Sequence, residues 1–113
     1  DAPQPPILRL VAWNILHGGS SRRLPHIALE LVSHDPDLVV ISEFRPTLGG
    51  QILAVLSDRG LRHLAEADAG ITPSRNRILI ASRFPMHEVD TQPMPPCLAR
   101  RVLVRRLSAE AGH

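Results

Sequence analysis

The fold of this chain is decided by two apolar runs, LRLVAWNI at residues 8–15 and DLVVISE at residues 37–43. Each run predicts a buried strand with a polar residue near its C-terminal end, Asn14 in the first and Glu43 in the second. Ligands of layered α/β folds commonly gather beyond that end of the strands. A carboxylate and an amide supply the oxygen atoms that Mg²⁺ prefers, and the amide can also bond a phosphate oxygen. The two runs therefore predict a site for a hard cation and a phosphate.

The composition indicates one globular domain. The chain has 113 residues, 43% of them hydrophobic, and can bury a single core. All 13 basic residues are arginine, whose planar guanidinium group can bind a phosphate through two hydrogen bonds. The net charge of the chain is only +2. The single cysteine, Cys97, excludes an intramolecular disulfide framework and a cysteine-rich zinc site. No run approaches the roughly 20 apolar residues of a membrane span.

The two ends of the sequence differ from the region between them. Residues 1–6 are rich in proline and predict a flexible lead-in, and residues 108–113 predict a tail with little to anchor it. The folded domain is predicted to span residues 7–107. Because the sequence opens on Asp1 rather than on methionine, a processed N-terminus is one reading, and the compartment stays open between cytoplasm and secretion.

The order of the predicted elements indicates an α+β fold. Apolar residues at helical spacing predict a helix at residues 22–34 and another at residues 48–59, which ends at Gly60. Strands alternate with helices at the start, and consecutive strands follow. This order favours a layered α/β sandwich with a mixed sheet and two helices on one face. The later strands are expected at residues 61–65, 77–83, 86–90 and 100–107.

Three motifs in this order resemble the endonuclease/exonuclease/phosphatase superfamily. The motif LVAWNILHG at residues 10–18 is similar to the opening strand of that superfamily, which ends in a Trp-Asn or similar pair. The motif DPDLVVISE at residues 35–43 looks like its second strand, which delivers a metal-binding glutamate. The motif RNRILIASRFP at residues 75–85 is similar to a later strand with an asparagine near its start. The resemblance covers the chain up to about residue 107.

The resemblance implies half of a four-layer α/β/β/α sandwich and a metal-dependent hydrolase. Members of the superfamily are nucleases, phosphodiesterases or phosphatases, and they cleave phosphate esters in nucleic acids, phosphoinositides or sphingomyelin. The implied cofactor is Mg²⁺ or Mn²⁺. The resemblance makes Glu43 a direct metal ligand and Asn14 a catalytic residue that helps to arrange the phosphate and the metal. Asn76 matches the asparagine of the third motif and is expected to be structural and near the site.

Two more residues are candidates for contact with the substrate phosphate. His17 follows Asn14 closely, in the turn after the first run, and Arg45 lies two residues beyond Glu43. Arginine can bind phosphate through two parallel hydrogen bonds. The alternative for both residues is a solvated surface position, which is the more common case for a loop histidine such as His17.

The second half of the superfamily domain has no counterpart in this sequence. Its Gly-Asp-x-Asn motif and its closing Asp-His pair are both missing, so no general base is identified. The chain is therefore expected to be the first half of a hydrolase domain, inactive alone, which pairs with its missing half or with another copy. The alternative is an inactive half-domain, either an association module or a degenerate gene product. A nucleic-acid-binding module has only dispersed arginines in its favour.

Overall fold

The computed structural model describes residues 8–15, 20–67, 77–90 and 103–107, without the side chains of residues 46–48. The predicted lead-in, the predicted tail, His17 and Asn76 lie outside the described residues. The described elements are β1 (Leu10–Asn14), α1 (Leu24–Ser33), β2 (Leu38–Phe44), α2 (Pro46–Asp58), β3 (His63–Glu66), β4 (Arg77–Ser82), β5 (Met86–Glu88) and β6 (Arg105–Leu107).

Four of the strands form one mixed sheet in the order β1-β2-β4-β3. Strands β1 and β2 are parallel, and β4 is antiparallel to both of its neighbours. The crossover from β1 to β2 runs through α1, as a parallel pair requires. The predicted α+β domain with a mixed sheet and two helices is therefore confirmed.

The last two strands lie within the segments predicted for them, but outside the main sheet. Strands β5 and β6 pair only with each other among the described strands and form a separate two-stranded sheet. Pro85 lies between β4 and β5 and lacks the N–H group that a continuing strand needs. The proline therefore accounts for the break that sends β5 out of the main sheet.

The helix boundaries follow from proline and glycine. Helix α2 begins at Pro46, two residues before its predicted start, because proline is well suited to the first helical turn. Gly60 follows the helix with a φ of +91°, the left-handed conformation predicted for this residue. Helix α1 has Pro25 in its first turn.

One core lies between the helices and one face of the sheet. The two helices contact each other, and the buried residues of both belong to the same cluster as the inward residues of β2 and β4. Alternation along the strands places one set of side chains in this core and the other set on the opposite face. The fully or almost fully buried core residues include Leu24, Ile27, Leu31, Val39, Ile41, Phe44, Ile52, Leu56 and Leu79.

The opposite face of the sheet is apolar and partly open. Leu10 is 58% exposed, Ala12 is exposed, and Leu38 and Val40 are only half-buried. The first apolar run is therefore an edge strand with one outward face, not the buried strand that its composition predicts. Hydrophobicity alone cannot distinguish an edge strand with one exposed face from a strand buried on both faces, because the sequence is apolar in both.

Arg83 ties the loop before β2 to the end of β4. Its Nε lies 3.2 Å from the carbonyl oxygen of Pro36 and 3.4 Å from the Oδ1 atom of Asp37, and its Nη2 lies 3.1 Å from Asp35. The side chain is 34% exposed, so water screens each of these interactions. The cluster therefore stabilises the sheet modestly.

We expect Arg83→Ala to lower the free energy of unfolding by about 1 kcal/mol, the scale of one hydrogen bond with weak ion pairs. Urea unfolding measures this change. Arg106→Ala, at an exposed position of β6, serves as the control and should change stability by less than about 0.5 kcal/mol. Equal unfolding curves for the two variants would show that the cluster contributes nothing.

Candidate metal and phosphate site

Asn14 and Glu43 lie at the same edge of the sheet, because β1 and β2 are parallel. Asn14 is paired with Ser42 in the ladder, so it is one residue out of register from Glu43. The N–H group of Ile15 donates to the carbonyl oxygen of Ser42 at 3.2 Å, which continues the pairing to this edge. Neighbouring strands are about 4.8 Å apart, so the two backbone positions adjoin. Asn14 is exposed and Glu43 is half-buried, and neither lies in the apolar interior.

A β-bulge shapes the end of β2. Ile41 pairs with Leu79 and Phe44 pairs with Arg77, so Ser42 and Glu43 together face the single residue Ile78. Strict alternation from Ile41 would direct Glu43 into the core. The extra residue shifts this alternation and gives the core position to Phe44, which is fully buried. The bulge therefore keeps a carboxylate at the sheet edge without burying it.

Glu43 has a strained backbone. Its φ is +59°, in the left-handed region that favours glycine. A residue with a Cβ atom pays roughly 1–2 kcal/mol there. Strain of this kind is found most often at functional sites, where the surrounding structure holds the residue in place. The conformation of Glu43 is thus an observation, independent of the motif, that favours a functional role for this residue.

We expect Glu43→Gly to be more stable than Glu43→Ala by about 1 kcal/mol, because only glycine relieves the left-handed strain. The alanine variant is the matched control, since both substitutions remove the carboxylate and its interactions. Urea unfolding of the two variants gives the difference directly. An alanine variant that is as stable as the glycine variant would show that this backbone position carries no strain.

Arg45 continues the same edge beyond β2. It is the N-cap residue of α2, with an extended backbone, and its carbonyl oxygen accepts a hydrogen bond from the N–H group of Gly49 at 2.9 Å. Its side chain is half-buried. None of Asn14, Glu43 and Arg45 is without a partner in the structure. The structure therefore brings three of the five predicted site residues to one edge, and the other two lie outside its described part.

The donor atoms at this edge fit a hard cation. Glu43 offers a carboxylate and Asn14 an amide oxygen, and Mg²⁺ is commonly held by one or two carboxylates with water and substrate phosphates completing its shell. Within residues 8–15, 20–67, 77–90 and 103–107, no three or more His, Cys, Asp or Glu residues cluster as a metal site. The two residues can therefore supply only part of a metal shell, and their role as ligands stays a prediction.

Sequence reasoning missed a depression beside the edge strand. It has a volume of about 460 Å³ and is lined by Trp13, Arg23, His26, Ile27 and Glu30. The spacing of residue 23, the N-cap of α1, and of the helical residues 26, 27 and 30 is the one signal that predicts a shared helix surface. The position of Trp13 against that surface depends on tertiary packing.

Comparisons with known proteins do not assign the chain to a family. No family model and no curated protein matches it. Among the described residues, no helix is long and apolar enough to cross a membrane. The resemblance to the phosphoesterase superfamily therefore depends on the three sequence motifs.

Proposed function

We propose that this chain is the first half of a metal-dependent phosphoesterase domain of the endonuclease/exonuclease/phosphatase type. The intact domain would hydrolyse a phosphate ester with Mg²⁺ or Mn²⁺. The observation that carries this proposal is the position of Asn14 and Glu43 at the C-terminal ends of adjacent parallel strands, with Glu43 set in a strained bulge. A carboxylate maintained against backbone strain is more readily explained by a ligand than by stability.

The residues of this chain would bind and orient the phosphate ester. Glu43 would hold the cation through its carboxylate, and a cation there would supply neutralisation of the phosphoryl charge for attack by water. The Asn14 amide donates to a phosphoryl oxygen and fixes its direction. Arg45 and His17 are candidates for further phosphate contacts, and Asn76 supports the site. The general base has no candidate here and would come from the second half of the domain.

The apolar outer face of the sheet supports the four-layer arrangement. Leu10, Ala12, Leu38 and Val40 share this face and are exposed or half-buried among the described residues. In a four-layer sandwich the same face packs on a second sheet. The missing half of the domain, or another copy of the chain, would provide that sheet. A monomer that does not bind apolar dyes would argue against this part of the proposal.

The same face also favours the second candidate, an inactive half-domain that acts as an association module. Association alone requires the apolar face but no metal at Glu43. The two candidates are therefore separated by metal binding and not by oligomeric state.

The test is a titration of the chain with Mn²⁺, followed by NMR, because a bound paramagnetic ion broadens nearby signals. We expect the side-chain amide signals of Asn14 to broaden at low Mn²⁺, and excess Mg²⁺ to restore them. Glu43→Ala should abolish the effect. Glu88→Ala, at an exposed position of β5, should retain it. Unchanged Asn14 signals would contradict the proposed metal site.

Hydrolysis of bis-p-nitrophenyl phosphate tests the reaction itself. Any hydrolysis by the chain, alone or combined with a complementary half-domain, should require Mg²⁺ or Mn²⁺ and should be lost in Glu43→Ala. Hydrolysis that persists in this variant would remove Glu43 from the mechanism.

A further inference from the structure

Strand β1 presents backbone hydrogen-bonding groups on the side that faces away from β2. In the main sheet, β1 pairs with β2 alone among the described strands. The carbonyl oxygen of Arg9 accepts a hydrogen bond from the N–H group of Leu38 at 3.1 Å. Because backbone groups alternate in direction along a strand, the odd-numbered residues of β1 bond to β2. Leu10 and Ala12 therefore direct their N–H and C=O groups away from β2, along what we call the open side of β1.

The open side of β1 lacks the features that usually protect an edge strand. Natural edge strands are commonly guarded by charged residues, by proline or by a bulge. Strand β1 has the sequence LVAWN, without a charge or a proline, and its pairing with β2 has no register shift. Leu10 is 58% exposed, and Ala12 is exposed as well. The strand is thus suited to pair with a further strand.

The other edge strand of the sheet, β3, is better protected. It has four residues, of which Glu66 is the last, and the Oε2 atom of Glu66 lies 3.0 Å from Nη1 of Arg77. Strand β3 also contacts β5. A charged residue and a neighbouring element both hinder the approach of another strand. A further strand is therefore expected at β1 rather than at β3.

The sequence of β1 is complementary to itself in the antiparallel direction. When a two-fold axis passes through Val11, Leu10 of each copy lies opposite Ala12 of the other. Each of these two pairs exchanges two N–H···O hydrogen bonds through the open side. Val11 lies opposite itself at a non-hydrogen-bonded position, where side chains come closest. Arg9 lies opposite Trp13, and an arginine beside a tryptophan ring is a favourable pair.

The neighbouring registers that use the same backbone groups are less suitable. An axis through Ala12 would place the apolar Leu10 opposite the polar Asn14. An axis through Leu10 would place the charged Arg9 opposite the aliphatic Val11. Only the axis through Val11 places a large apolar side chain opposite a small one and gives the arginine an aromatic partner. The register therefore identifies a second copy of this chain as the strand that fits.

We propose that the chain forms a two-fold dimer through the open side of β1, with Val11 at the axis. The two four-stranded sheets then join side by side into one continuous sheet. This contact leaves the outer face of the sheet uncovered, so it differs from the face-to-face packing of a four-layer sandwich. It requires neither Glu43 nor a metal. Because one short strand makes the contact, we expect a weak dimer with a dissociation constant of about 0.1 mM.

Sedimentation equilibrium and NMR-detected amide exchange test the dimer on the whole chain, with EDTA present. We expect the amides of Leu10 and Ala12 to exchange about threefold more slowly at about 1 mM chain than at about 0.05 mM, which follows the fall in monomer fraction. The amide of Leu64 points away from β4 at the other edge and should not respond. A monomer at 1 mM, or a dimer without slower exchange at Leu10 and Ala12, would overturn the proposal.

Proline at position 12 tests the hydrogen bonds of the open side. Ala12→Pro removes an N–H group that β2 does not use, and proline is tolerated in an edge strand at such a position. Dimerisation should weaken by at least about tenfold, because each Leu10–Ala12 pair loses one hydrogen bond. Leu64→Pro is the matched control, since it removes an outward N–H group from β3 and should dimerise normally. Unchanged dimerisation of Ala12→Pro would overturn the proposal.

Cross-linking tests the register without a change to the backbone. Val11→Cys, combined with Cys97→Ser, should form a disulfide between two copies, because the Cβ atoms at the axis are about 4.5–5.5 Å apart. Oxidised glutathione accepts the two electrons and two protons that the thiols lose. Leu10→Cys with Cys97→Ser is the matched control and should cross-link at least about tenfold more slowly, since residue 10 lies opposite residue 12. Equal rates for the two variants, or no cross-link through residue 11, would overturn the proposal.

Discussion

Replacement of Phe44 with alanine is expected to lower the free energy of unfolding by about 3–5 kcal/mol, the usual cost of removing a buried phenylalanine. Phe44 is fully buried and belongs to the core between the helices and the sheet. It is also the residue that the bulge returns to the core face after Glu43. Alanine would leave a cavity in the core and would remove the side chain that anchors the bulge.

Chemical denaturation of the variant measures this loss. A small domain has a stability of only about 5–15 kcal/mol, so Phe44→Ala should remove a large share of it and lower the denaturation midpoint clearly. Leu29→Ala is the control, because Leu29 is 66% exposed on α1 and its loss should cost less than about 0.5 kcal/mol. A cost below 1 kcal/mol for Phe44→Ala would mean that the ring does not hold the end of β2 in place.

The first half of the fold was predictable because its signals are local. The apolar runs around Trp13 and Ile41, with helical spacing between them, require a crossover and a parallel pair. Once the strands are parallel, Asn14 and Glu43 must share one edge of the sheet, and the structure places them there. The left-handed conformation of Gly60 was predictable for the same reason, because a glycine directly after a helix is a local signal. Metal binding by Asn14 and Glu43 does not follow from the backbone geometry and stays a proposal.

The later part of the fold was less predictable because it depends on long-range pairing. The antiparallel pairing expected of consecutive strands occurs between β3 and β4 and between β5 and β6, but the sequence does not indicate that β4 also pairs with β2 or that β5 and β6 form their own sheet. Nothing in the sequence indicates the bulge at Glu43. A left-handed position is usually signalled by a glycine, but here the residue is a glutamate. The depression at Trp13 also requires the packed positions of β1 and α1.

Gly49→Ala is expected to destabilise the domain by about 1–3 kcal/mol, the cost of overpacking a core. A Cβ atom at Gly49 would overlap the ring of Phe44, at its Cε1 and Cζ atoms. The neighbouring Gly50 provides the matched control, because it is exposed and a Cβ atom there meets nothing within 4 Å. Gly50→Ala should instead stabilise α2 by roughly 0.5–1 kcal/mol, since alanine is the better helix former. Urea unfolding of the two variants should therefore give changes of opposite sign.

A double-mutant cycle shows whether the overlap with Phe44 is the cause. Phe44→Leu shortens the side chain and makes room for the new methyl group, so the double variant should be less destabilised than the sum of the two single variants by about 1 kcal/mol. Strict additivity would mean that α2 moves away from the sheet, so that the new methyl group at residue 49 does not contact the Phe44 ring. Coupling of the expected sign would establish that one close contact, between a helix glycine and the residue after Glu43, fixes the position of the proposed metal-binding edge relative to α2.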